Sequence, residues 1–176
     1  MPTYVLVPGA WLGGWAWQDV TARLRAAGHE VYPMTLTGLG ERSHLARPEI
    51  DLETHIADIV NTIVWNDLRD VILAGHSYAG IVITGVADRL PDRLQDIVYI
   101  DSAPLADGQA MVDLYPRERL AAIQQAVDRF GNGWRWPFPG FEELGQDASL
   151  ARLGEPERAF MAAKVADQPW QTYTQP

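Results

Sequence analysis

The segment Asp70-Val-Ile-Leu-Ala-Gly-His-Ser-Tyr-Ala-Gly80 constrains this chain more than any other stretch. A short apolar run ends in Gly75, a serine follows two positions later, and Ala79 and Gly80 come soon after. Residues 81–90 then have the apolar spacing of a helix. A strand, a tight turn and a helix in that order lift the Ser77 hydroxyl above the carboxyl end of a sheet. Small neighbours are required, because such a turn presses backbone against backbone. Gly75 stands two positions before Ser77, and Ala79 stands two after it, where a second glycine is usual.

The remaining pattern supplies the sheet. Residues 3–7 form a nearly continuous apolar run, as expected of a strand buried on both faces. A glycine-rich loop covers 8–14, and 15–27 have helical spacing closed by Gly28. Residues 30–34 read as the next strand, 35–50 as a loop, and 51–65 as an amphipathic helix with Asp51 as its N-cap. The serine-bearing unit follows, with a strand at 71–74 and a helix at 78–90, and 96–100 form one more strand. This β-α-β-α-β-α-β order predicts an α/β fold, a mainly parallel sheet with helices on both faces. Ligands of such sheets bind beyond the carboxyl ends of the strands, where Pro8, Gly9, Met34, Ser77 and Asp101 fall.

After residue 104 the character changes. Broken helical patterns at 111–115, 117–130, 150–152 and 155–165 surround the aromatic stretch 131–140, and no further strand is legible. The expected division is an α/β core over 1–104 and a helical cap over 105–176. Trp11, Trp134, Trp136, Phe138 and Phe141 are candidate walls of an apolar pocket beneath that cap.

Composition narrows the function classes. A net charge of −9 lacks the basic face that nucleic acid or an anionic membrane would require. With no cysteine, neither a disulfide framework nor a thiolate metal site is available. The first residues carry no basic segment followed by an apolar stretch, so the expected location is cytoplasmic. The glycines at 9, 13 and 14 do not make a dinucleotide fingerprint, and no P-loop is present. Histidines and carboxylates do not fall at ligand spacing, so no metal and no cofactor is expected.

Four blocks of the chain carry a resemblance: residues 4–17, residues 35–45, Gly75-His-Ser-Tyr-Ala-Gly80 and residues 98–104. Together they resemble the α/β-hydrolase fold family, in particular a bacterial branch of small esterase-like proteins. The plant hydroxynitrile lyase and methyl-ester esterase group lies nearby. The resemblance implies that Ser77 is the nucleophile and that the N–H groups of Ala10 and Tyr78 are oxyanion donors. It also implies a small apolar ester-type substrate. Family members usually have His-Gly in the first loop, and this chain has Pro8-Gly9.

The family continues its sheet past the cap with two strands that deliver the acid and then the catalytic histidine. This chain is expected to be shortened relative to that pattern, since no histidine follows His76. His29, His44, His55 and His76 are read as surface or packing residues, with the His76 side chain directed away from the serine hydroxyl. Asp101 is a candidate acid, with loop capping as the competing role. Two functions follow: a serine hydrolase, or a non-catalytic binding or interaction protein on the same fold. The strand at 96–100 would have an open far side, which predicts a homo-oligomer through that edge, marginal stability, or cover by an element of residues 105–176.

Overall fold

The computed structural model describes residues 2–144 and 153–176. Four parallel strands, β1 (Thr3–Val7), β2 (Glu30–Pro33), β3 (Val71–His76) and β4 (Leu94–Ile100), form one sheet in the order β2-β1-β3-β4. The alternation of side chains along β1 explains the layers. Val5 and Val7 join Val71 and Leu73 against α2 (Leu52–Trp65) and α3 (Ala79–Arg89). Leu6 and Ala74 face the other way, with Val31, toward Leu24 of α1 (Gln18–Ala26). Helices therefore cover both faces.

Local chemistry sets most boundaries. Asp51 caps α2, its carboxylate accepting from the Thr54 N–H at 2.8 Å and from the Thr54 hydroxyl at 2.7 Å. The helical spacing at 15–27 resolves into two pieces, a 3-10 turn Gly14–Trp17 and then α1. Gly14 lies against the Pro33 and Met34 carbonyls, and its N–H donates to Thr35 Oγ1 at 2.7 Å. That close approach holds the first turn in its tighter form. The loop after β2 contains a 3-10 segment, Gly40–Leu45, which periodicity did not indicate.

The region beyond 104 contains α4 (Arg117–Phe130), α5 (Phe141–Leu144), α6 (Glu155–Ala162) and α7 (Gln171–Thr174). It also contains a two-residue antiparallel pair, β5 (Arg135–Trp136) with β6 (Gln168–Pro169), too short to show as alternation. The helical pattern expected at 150–152 lies outside the described residues. Ile123, Val127, Trp136, Trp170 and Tyr173 join the same apolar cluster as the sheet and α2. β4 is an edge strand, with Ile97, Val98 and Ile100 exposed by 39%, 40% and 38%.

Candidate active site

Ser77 sits directly after β3 and two residues before α3, with φ of +51°. A non-glycine residue in the left-handed region is held there by its surroundings, at a cost of order 1 kcal/mol. The ties are visible. The Ser77 N–H donates to the Ile100 carbonyl at 3.0 Å, and its carbonyl accepts from Gly80 N–H at 2.9 Å and Ser102 Oγ at 2.6 Å. Small residues make the bend fit. A Cβ on Gly75 would meet Ile83 Cδ1 at 2.9 Å and the Ala79 carbonyl oxygen at 3.0 Å, and one on Gly80 would overlap Ser102 Oγ. Position 79 tolerates a methyl group, and Ala79 is fully buried.

The first loop closes over this bend. A Cβ on Gly9 would stand 2.8 Å from His76 Nδ1, 3.3 Å from the His76 carbonyl oxygen and 3.3 Å from Ser77 Cβ, so the loop packs closely on the bend. Ser77 is exposed at the mouth of a hollow of about 100 Å3. Ala10, Trp11, His76, Asp101 and Phe138 are among its walls. Among the described residues, the N–H groups of Ala10 and Tyr78 make no hydrogen bond. One of these amides follows Ser77 in the chain, and the other belongs to a residue lining the same hollow. A larger hollow of about 550 Å3 adjoins it, sharing Leu12, His76 and Met161.

The candidate residues separate into groups. Trp11 and Phe138 line the serine hollow, their ring centroids 5.7 Å apart. Trp136 does not line it; 2% exposed, it stands behind Trp11 in edge contact at 4.6 Å. Trp134 is also outside the wall, its carbonyl accepting from the Trp170 N–H and its ring stacking under Arg135. Phe141 touches Phe138 rather than the hollow. Asp101, with φ of +47°, is exposed and lines the hollow beside His76.

His76 lines both this hollow and the larger one beside it, with its Nδ1 against Gly9. Burial pushes its pKa down, opposed by the Asp101 carboxylate. His44 is exposed and bonded to the Glu41 carbonyl, and His29 packs on Tyr4. None of the described histidines hydrogen-bonds Ser77 Oγ. No group of three or more His, Cys, Asp or Glu side chains forms a metal cradle among the described residues.

His55 is a buried core residue. Its Nε2–H donates to the Thr37 carbonyl at 2.9 Å, which leaves Nδ1 to accept from the Tyr78 hydroxyl at 2.8 Å. Burial lowers its pKa to about 4. The same burial drives the Tyr78 phenol upward, so both groups stay neutral. Tyr173 stacks on the Tyr78 ring at 5.1 Å. Sequence reading passed over Gln168, Thr172 and Tyr173, which bind the loop and the bend from behind. The only signal was a cluster of polar and aromatic residues with no helical period.

The sequence matches a family described as the alpha/beta hydrolase family over residues 4–176. A carbendazim hydrolyzing esterase from Nocardioides sp. (strain SG-4G) is 48% identical over 117 residues, covering 66% of this chain and 48% of that protein. Methylesterase 8 of Arabidopsis thaliana is 32% identical over 101 residues, covering 56% of this chain and 37% of its own length. The chain thus spans about half, or less, of the length of these curated relatives. Among solved structures, an extracellular alpha/beta-hydrolase from a Paenibacillus species superposes with a TM-score of 0.86 at 29% identity, over 100% of this chain and 70% of that one. That protein is described as sharing structural and functional homology with tobacco salicylic acid binding protein 2.

Proposed function

The chain belongs to the alpha/beta hydrolase family, and on that premise we propose that it is the serine-bearing part of a carboxylic-ester hydrolase. Ser77 Oγ attacks the carbonyl carbon, and the N–H groups of Ala10 and Tyr78 receive the oxygen as it becomes negative. Trp11 and Phe138 supply an apolar wall for a small ester, in keeping with relatives named as esterases. The observation that carries this reading is Ser77 in the left-handed region between β3 and α3, exposed at a hollow that Ala10 also lines.

The base role is unassigned among the described residues, since no described histidine nitrogen bonds the serine hydroxyl. That favours a second reading, a binding protein using the same hollow without turnover. A serine-directed fluorophosphonate separates the two. We expect an adduct on Ser77, located by peptide mass, and none in Ser77→Ala. An unlabelled Ser77 in a chain that still binds short esters would favour the binder. Residues 105–176 act in this reading as a cap over the hollow, and a second copy of the chain is the expected partner of the β4 edge.

A further inference from the structure

Trp11 follows one of the two proposed donors, and its polar groups all bond to the far part of the chain. Its N–H donates to Gln168 Oε1 at 3.1 Å, its carbonyl accepts from the Ala166 N–H at 3.0 Å, and its indole N–H donates to the Trp136 carbonyl at 3.0 Å. Trp11 has φ of +62°, a conformation that a tryptophan adopts only when held. Gln168 is fully buried, and its Nε2 donates to Thr172 Oγ1 at 2.8 Å. Thr172 in turn donates to the Pro169 carbonyl at 2.6 Å and neighbours the Tyr78 phenol. Tyr78 carries the second proposed donor.

We propose that Gln168 is a positioning residue: its buried amide clamps the Ala10–Trp11 peptide, and Thr172 and the Pro169 carbonyl hold the far end of that amide. The inference rests on the hydrolase reading above. The peptide plane between residues 10 and 11 has two ways to face. With its N–H turned back to Gln168, the loop holds the Ala10 N–H free beside Ser77. The Ala10 N–H belongs to the preceding peptide, joined to this plane at the Ala10 Cα. Losing the acceptor would release the Trp11 amide and slacken the loop, letting the Gly9–Ala10 peptide that carries the donor shift. Gln168 touches no substrate, so its loss should weaken stabilisation of the developing oxyanion while leaving the hydroxyl of Ser77 in place.

The test uses the 176-residue chain with diethyl p-nitrophenyl phosphate and its thiono analogue. In each reaction the Ser77 Oγ–P bond forms, the bond to nitrophenolate breaks, and the serine proton passes to solvent. Phosphoryl oxygen uses backbone donors well and thiophosphoryl sulfur uses them poorly. The ratio of the two rates, normalised to the ratio with hydroxide, therefore reports donor geometry. Gln168→Met should lower that ratio about ten-fold, a fraction of the loss seen when a whole oxyanion donor is removed. Gln168→Glu, which keeps an acceptor for the Trp11 amide, should restore most of it.

Thr172→Val frees the far end of the Gln168 amide and the Pro169 carbonyl but keeps the acceptor of the Trp11 amide. It should shift the ratio about three-fold in the same direction, as a weaker displacement of the same donor. It serves as the readout if Gln168→Met does not fold. Equal slowing of both reagents, or an unchanged ratio in a folded variant, overturns the clamp. A wild-type chain that neither reagent labels overturns the hydrolase reading itself, and the clamp with it.

Discussion

At the scale of single residues, His55 shows how a burial pattern turns into a pH dependence. Its imidazole is enclosed by α2, the Thr37 loop and the Tyr78 ring, and Asp58, Arg42 and Asp51 are the charged groups that bear on it. Folded, it titrates at about 4; unfolded, near the ordinary 6.5. Between those values the unfolded chain binds a proton that the folded chain refuses, so stability falls as pH drops. Above about 6.5 neither state is protonated there and the contribution is constant. Going from neutral pH to about 4, we expect a loss on the order of 3 kcal/mol from this group. Urea unfolding of wild type and His55→Gln at several pH values would measure it. The glutamine can make both hydrogen bonds and does not titrate, so its curve should lack that share of the slope; parallel curves would refute the assignment.

At the scale of elements, the junction between β3 and α3 depends on Gly75 more than on position 79. A methyl on Gly75 meets both Ile83 of the helix and the Ala79 carbonyl, so Gly75→Ala must push α3 away from the sheet. Overpacking of this kind typically costs about 1–3 kcal/mol, several degrees of Tm for a domain this size. Adding Ile83→Val should recover part of the loss, because the Cδ1 contact at 2.9 Å is removed while the Cγ2 and carbonyl contacts at 3.0 Å stay. Strict additivity in thermal melts of the two singles and the double would contradict this packing. The strands, the long helices and this bend were legible because each is written in neighbours within a few residues. Apolar runs mark β1 and β3, a 3.6-residue stripe marks α2, and Asp51 marks its start. The back of the site was not legible. Trp11 and Gln168 are 157 positions apart, and local periodicity says nothing about which distant polar group completes a buried pair. The same limit misplaced Trp136, an aromatic residue whose neighbours decide whether it faces a hollow or the core.

At the scale of the whole molecule, the open edge and the net charge oppose each other. Among the described residues β4 has no strand on its outer side, and it presents three apolar side chains, each exposed by about two-fifths. An edge of this kind pairs readily with another strand. The charge of −9 on each chain resists that approach. Salt screens the repulsion, shortening its range to a few Å near 1 M, and leaves apolar burial intact. Self-association of the 176-residue chain should therefore grow with both protein concentration and ionic strength. Charge-mediated pairing would weaken with salt instead. Ile97→Lys and Val98→Lys place cations on the edge strand away from the Ser77–Ile100 hydrogen bond, and each should shift the equilibrium toward monomer. Sedimentation equilibrium at low and high salt distinguishes these cases. A chain that stays monomeric at both salts, or dimers indifferent to both lysines, would show that β4 is not the contact.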